Sequence, residues 1–334
     1  MINPIQFQLN KNRLKKGFYE SFYFRGNHQN GTQSFWLKHN LLMFANDPHV
    51  RIESTLITFD KESNLSKTYN HQEDITLEDY QNKIVLNKKD WEDFSFNFKN
   101  NSSILIQPNQ LQGKFNTNED SISWNLKLNP SNKSYYHFSN DWFYHGFFPK
   151  KKILTKDIHL EYSGTIETPH LKLEGSFIGM NGHNWGTEHA YKYAYGNCNQ
   201  FDNCQESYFD GFSGKITLMK GVIKSPYLSC CSLKTKGKWY HFNNILKSYQ
   251  HKVSEVSEKK WKVTFTSQEH ILEIDIDGSN QVWADLSYDH PSRKVSTVHN
   301  TKYAHGTLTL KKATNNEIIT TLTSHYFELE SLIP

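Results

Sequence analysis

The 334-residue sequence is poor in cysteine, with only Cys198, Cys204, Cys230 and Cys231 and no Cys-x-x-Cys pair. A disulfide framework is not expected, since adjacent Cys230 and Cys231 rarely bridge each other, and free thiols in a reduced, cytoplasmic setting are favoured. A zinc site on Cys198 and Cys204 is disfavoured, because tetrahedral sites usually use closer ligand pairs. No apolar run approaches the roughly 20 residues that span a bilayer. The start, Met1-Ile2-Asn3-Pro4-Ile5-Gln6, lacks a charged segment followed by an apolar one, so no secretory signal is read there. Basic runs are missing beyond Lys150-Lys151-Lys152, and the net charge of +4 is near balance, which speaks against a nucleic-acid partner. That lysine triplet reads as a solvated loop after Pro149, with transient contact to an anionic membrane surface as the other reading. There is no Gly-x-Ser-x-Gly elbow, no Gly-x-Gly-x-x-Gly and no phosphate loop, so neither that hydrolase chemistry nor a nucleotide cofactor is indicated, and no cofactor is expected.

What the chain does have is aromatic side chains, 14% of the total, which favour strands and line apolar pockets. Its mean hydropathy of −0.73 is that of a soluble protein. Period-two alternation dominates. Ile122, Trp124, Leu126 and Leu128 alternate with polar residues, as do Leu171, Leu173, Gly175 and Phe177, the set Trp261, Val263 and Phe265, and the set Leu272, Ile274 and Ile276. Asn30-Gly31 between two aromatic-rich segments signals a hairpin, and further turns are marked at residues 100–102, 129–132, 277–280 and 313–316. Helical windows are short, at 76–81 and 187–195. Many strands with polar turns give an all-β fold, and the length favours two β-barrel or half-barrel domains packed together. The boundary is placed near residue 186, giving domains 1–186 and 187–334, because a glycine-rich segment there ends the regular strand pattern.

That segment is Gly179-Met180-Asn181-Gly182-His183-Asn184-Trp185-Gly186, and Tyr208-Phe209-Asp210 follows it. In extended chain, His183 and Trp185 point to one side, and so do Tyr208 and Asp210. If both segments line one cavity, an imidazole, an indole, a phenol and a carboxyl converge. A carboxyl in an apolar pocket is a usable general acid. Asp210 would protonate a double bond, Trp185 and Tyr208 would stabilise the cation at roughly 0.5–2 kcal/mol each, and His183 would orient the acid or a water. The same cluster also reads as structural cement, since buried polar groups need partners in any protein. His183 and His189 with Glu188 have metal-ligand chemistry but not the helical i, i+4 spacing, so no metal is expected. His137, His145 and His159 read as core or rim residues.

Gly-x-x-x-His-Asn-Trp-Gly followed by Tyr-x-Asp resembles the carotenoid 1,2-hydratase (hydroxyneurosporene synthase) and AttH-like lipocalin superfamily. Two further segments support the resemblance: the aromatic run Trp142-Phe143-Tyr144-His145-Gly146-Phe147-Phe148-Pro149, and Tyr191-Lys192-Tyr193-Ala194-Tyr195-Gly196. The resemblance implies two lipocalin-like barrels or half-barrels around a ligand cavity and, for the hydratase branch, cofactor-independent addition of water to an isoprenoid double bond. It places Asp210 as proton donor, with Tyr208, His183 and Trp185 beside it. Asn184, Glu188, Tyr193 and Tyr195 are the matching candidates for substrate contacts. The chain departs from the family at Gly182, where many members carry Asp, while Glu188 and His189 offer a different acid or base.

Two functions follow as expectations. The first is acid-initiated hydration or cyclisation of an apolar isoprenoid or polyene, as a hydro-lyase or cyclase. The second is a non-catalytic carrier of a hydrophobic small molecule; a lipocalin-like scaffold without a ligand is the third. An enzyme needs Asp210 aimed into a cavity that also exposes Trp185 and Tyr208, whereas a carrier can leave Asp210 outside it. The sequence does not give the oligomeric state.

Overall fold

A computed structural model describes residues 11–83, 85–86, 94–116, 120–146, 148–218 and 223–334. Four long strands joined in sequence open the fold: β1 (Phe18–His28), β2 (Gln33–Met43), β3 (His49–Asp60) and β4 (Leu65–Thr76). Shorter strands follow, β5 (Val85–Leu86), β6 (Phe94–Asn97), β7 (Ser103–Gln107), β8 (Gln110–Asn116) and β9 (Ser121–Pro130). After β10 (Tyr135–Tyr136), the long β11 (Lys151–Glu167) and β12 (Lys172–Gly186) close the first sheet. Its order is β4-β3-β2-β1-β12-β11-β9-β8-β7-β6-β5, with β10 beside β11.

The second sheet starts with β13 (Lys192–Cys198) and β14 (Tyr208–Lys215), past which lies the small ribbon of β15 (Thr217–Leu218) and β16 (Ile223–Lys224). It continues through β17 (Leu228–Thr235), β18 (Lys238–Phe242), β19 (Lys252–Val256), β20 (Lys260–Thr266) and β21 (His270–Asp277). The last strands are β22 (Ala284–Asp289), β23 (Val295–Lys312) and β24 (Ile318–Leu332). The order is β18-β17-β14-β13-β24-β23-β21-β20-β19, with β22 beside β23. Both sheets curl into half-barrels, with register shifts in β11 between Thr155 and Leu160, in β23 between Thr301 and Gly306 and again at Leu310–Lys311, and in β19 between Val253 and Glu255. The change of sheet falls between Gly186 and Lys192.

Each half-barrel has its own core. Phe22, Trp124 and Trp185 belong to the first, and Phe209, Trp261 and Phe327 to the second. A third core lies between them, where Tyr23, Trp36, Ile57, Phe59 and Met180 of the first sheet meet Tyr193, Tyr195, Tyr303 and Leu332 of the second. Each such side chain contributes roughly 1.5–3 kcal/mol by leaving water. Strand β9 keeps the expected alternation, with Ile122, Trp124, Leu126 and Leu128 buried. Strand β1, by contrast, is buried along almost its whole length, because the second sheet covers its outer face.

Of the two helical windows, the first forms a helix at Leu77–Lys83, where Thr76 Oγ1 accepts the Asp79 backbone N–H at 3.1 Å and caps it. The second is corrected: residues 188–190 have no regular structure and β13 begins at Lys192. Both edges of β13 are taken, by β14 and by β24, and that pairing overrides a weak helical pattern. Among the described residues no helix is long and apolar enough to cross a membrane.

Burial of histidine sets a pH dependence. Burial holds His39 neutral, down at about 3, and His251 at about 4. Below the ordinary value near 6.5 the unfolded chain takes up protons that the folded chain refuses, so stability falls as pH drops from about 6.5 towards 3–4. The slope is up to about 1.4 kcal/mol per pH unit for each such histidine. Urea unfolding at pH 7, 6, 5 and 4 should show a steady loss, and the loss should be shallower in His39→Gln; equal slopes would show that His39 does not drive it.

Candidate functional site

Strand parity sorts the expected residues onto two faces. On β12, His183 and Trp185 turn into the first half-barrel, stacked at 4.5 Å between ring centroids, and His183 stacks on Phe22 at 4.9 Å. His183 Nε2 lies 2.7 Å from Glu20 Oε1, deep in that core. Tyr208 and Asp210 on β14 face the space between the half-barrels. The pairs are each internally close, as parity requires, but they belong to different cores: Trp185 to the first half-barrel, Tyr208 to a small cluster with Tyr135 and Ile158.

Asp210 is fully buried. Its Oδ1 lies 2.8 Å from His137 Nε2. Its Oδ2 accepts from Thr155 Oγ1 at 2.6 Å, from Asn197 Nδ2 at 3.1 Å, from the Tyr208 hydroxyl and, more distantly, from the Tyr195 hydroxyl at 3.4 Å. Asn197 is the cross-strand partner of Asp210, whereas Thr155 comes from the bulged part of β11 in the other sheet. A carboxylate has about two acceptor sites on each oxygen; Oδ2 is crowded by four donors while Oδ1 meets His137. The histidine on Asp210 is thus His137, which sequence reasoning treated as a core or rim residue. Burial, then the charge of Asp210, pushes the Tyr208 and Tyr195 phenols well up, so both stay protonated donors.

The network continues from Asn197. Its Oδ1 accepts from Arg25 Nη2, and Arg25, fully buried on β1, pairs through Nε with Glu328 Oε2 at 3.1 Å. Lys302 Nζ donates to Glu328 at 2.5 Å. Burial lowers Lys302 to about 8, against the opposing pull of Glu328. Glu330, two residues along, accepts from Tyr193 at 2.6 Å, Tyr288 at 3.2 Å and Asn300 at 3.1 Å. Buried charges here are paired or hydrogen-bonded across the two sheets.

Beside this network lies a cavity of about 260 Å³. Phe138, Phe148, Ile153, Phe212, Leu228 and Ile245 supply much of its apolar wall. All four expected substrate-contact residues, Asn184, Glu188, Tyr193 and Tyr195, line it. Glu188 sits near solvent, paired with Lys150 at 2.7 Å, both about half exposed. Asp210, Trp185, Tyr208 and His183 are not among its walls; Tyr208 instead borders a second, more polar cleft of about 610 Å³ with His159 and Glu206. Tyr195 therefore stands between Asp210 and the apolar cavity.

The glycine at 182 has a steric cause. A Cβ built there would lie 2.1 Å from Cζ of Tyr23, whose ring crosses the strand at that point. An aspartate in that position is incompatible with Tyr23 as placed. Among the described residues no group of three or more His, Cys, Asp or Glu side chains is arranged to hold a metal.

Parity on β13 and β24 carried an unread signal. Tyr193, Tyr195 and Asn197 share one face, and Glu328 and Glu330 alternate with the buried Phe327 and Leu329. Lys38 and Arg25 left no such signal, because strands buried on both faces lose the alternation that would mark them.

No protein-family model matches the chain, and no curated protein matches it. In structure it is similar to a solved protein from Nitrosomonas europaea described as a candidate AttH, with a TM-score of 0.52 and 13% identity over 94% of this chain and 92% of that one. At that identity the likeness concerns the fold.

Proposed function

From an AttH-like fold of two lipocalin-type half-barrels, we propose that the protein binds a hydrophobic small molecule in the cavity between them. The observation that carries this reading is the mostly apolar cavity, walled by Phe138, Phe148 and Phe212, with Asp210 outside it. Small-molecule sites have this composition: an apolar wall and a few placed polar groups. The cavity, of about 260 Å³, takes a compact ligand or the apolar end of a longer one.

Acid-initiated hydration or cyclisation is the second reading, and Tyr195 favours it. Tyr195 lines the cavity and its hydroxyl lies 3.4 Å from Asp210 Oδ2, so one phenol stands between the Asp210 array and a ligand. Such a reaction would use Tyr195 at the ligand and Asp210 behind it, with Tyr208 and His137 positioning the carboxylate. His183 and Trp185 would then support the first half-barrel's core.

Gly214 gives a clean test of binding. It lines the cavity, and a Cβ there meets Tyr193 Cβ at 3.5 Å, an ordinary contact. Gly214→Leu should fold, fill part of the cavity and weaken binding by roughly tenfold or more, since one or two lost methylene contacts are worth about 1–2 kcal/mol. Native mass spectrometry of the purified protein with a lipid extract should show a small-molecule adduct that Gly214→Leu lacks. An adduct of equal strength in both, or none in either, would remove this cavity as the site.

A further inference from the structure

We infer that the cavity's ligand is an amphipathic anion, its carboxylate held between Lys38 and Lys151 and its apolar tail against Phe138, Phe212 and Ile245. This deepens the proposed function and rests on it. Lys38 is 7% exposed on β2, and Lys151, from the lysine triplet that looked like a solvated loop, turns into the cavity at the start of β11. The triplet in fact divides three ways: Lys150 pairs with Glu188, Lys152 donates to the Pro149 carbonyl at 2.6 Å, and Lys151 faces inward.

Among the described residues neither the Lys38 nor the Lys151 ammonium makes an ion pair or a hydrogen bond. Each instead stands over a tyrosine ring, Lys38 at 3.7 Å from the Tyr288 centroid and Lys151 at 4.8 Å from that of Tyr193. Both of those phenols donate to Glu330. The carboxylates whose charge acts on the two ammonium groups, Glu330 on both and Glu53 and Asp289 on Lys38, do not reach them within hydrogen-bond distance and accept from other groups. Glu330 is held by Tyr193, Tyr288 and Asn300, Glu53 by Asn40 and Thr55, and Asp289 by Arg51 at 2.7 Å. His189, also in the wall, is held neutral by burial, then by Lys151, His290 and Lys38. What remains is a pair of ammonium groups with no hydrogen-bond acceptor among the described residues, lining one mostly apolar cavity whose wall also holds Glu328 and Glu330. A ligand oxyanion supplies the acceptors and separates the two like charges. A carboxylate fits that role, because each of its two oxygens can take one ammonium.

The probes are octanoate and 1-octanol, matched in chain length and sized to the cavity, titrated calorimetrically into the full chain at pH 7. Octanoate should bind roughly tenfold or more tightly than octanol. Lys38→Met and Lys151→Met should each weaken octanoate about tenfold and leave octanol within about twofold. Methionine keeps the bulk, and removing an ammonium that no carboxylate pairs should leave the thermal midpoint unchanged or higher. Octanol binding as well as octanoate, or both lysine variants weakening the two probes equally, overturns the anion assignment while the cavity remains a small-molecule site. No binding of either probe overturns both.

Discussion

Arg25→Met is expected to destabilise the folded protein by about 3–5 kcal/mol, the usual cost of removing one partner from a buried charge pair. The guanidinium lies wholly inside the protein on β1 and touches the second sheet at three points: Glu328 on β24, Asn197 on β13 and Asn199 just beyond it. Methionine fills much of the volume but supplies no charge. Glu328 would then rely on Lys302 and a long bond from Asn300, and the Asn197 side chain, whose Nδ2 helps to hold Asp210, would lose the group that fixes its other end. Urea unfolding measures the loss. The double variant Arg25→Met with Glu328→Gln should lose less than the two singles added, because it removes the stranded carboxylate too. A single variant within about 1 kcal/mol of the parent would show that the pair is dispensable.

Asp210→Asn should cost about 2–4 kcal/mol, through donors left facing the wrong group. The carboxylate accepts from Thr155, Asn197, Tyr208 and Tyr195 on one oxygen and meets His137 on the other. An amide offers one oxygen and one NH₂: with the NH₂ towards Thr155, Asn197 and Tyr208 its hydrogens confront donors, and with the NH₂ towards His137 the ring must give up its proton at Nε2 to accept. Tyr208→Phe should cost less, about 1–2 kcal/mol, since it removes the hydroxyl that donates to Asp210 and accepts from Asn197 Nδ2 at 3.0 Å but leaves the carboxylate its other donors. In folded Asp210→Asn protein, octanoate binding should stay within about threefold, because Asp210 is not part of the cavity wall. A variant as stable as the parent would mean the array is not cement, and would turn attention to proton transfer through Tyr195. Any turnover measured with Asp210→Asn must accordingly be corrected for its folded fraction before Asp210 is assigned as an acid.

The two-sheet, all-β architecture was legible because outward-facing strands such as β9 and β20 alternate cleanly. Parity also put Tyr208 beside Asp210 and His183 beside Trp185. It could not say which face of each strand looks at which neighbour, and so it joined two pairs that belong to different cores. His137 on Asp210 was out of reach for a related reason. It arrives from the segment after β10 and is 73 residues away in sequence, a meeting set by the packing of one half-barrel on the other. Arg25 on β1 and Lys38 on β2 could not be singled out, since nothing in a single strand tells that both of its faces are covered. Gly182 was legible only as a departure, and Tyr23 supplies its cause.

The doubly buried face of β1–β3 also bears on how the chain is made. During synthesis the first half-barrel emerges before β13–β24 exist to cover Tyr23, Trp36, Ile57 and Phe59. At about 5–20 residues per second the ribosome needs on the order of ten seconds to deliver the rest. For that interval a nascent half-protein presents an aromatic patch carrying Arg25 and Lys38 with no partners from the second sheet. The lysine and arginine that later face the interior serve then as gatekeepers, charges that interrupt an otherwise sticky surface and discourage one unfinished chain from pairing with another.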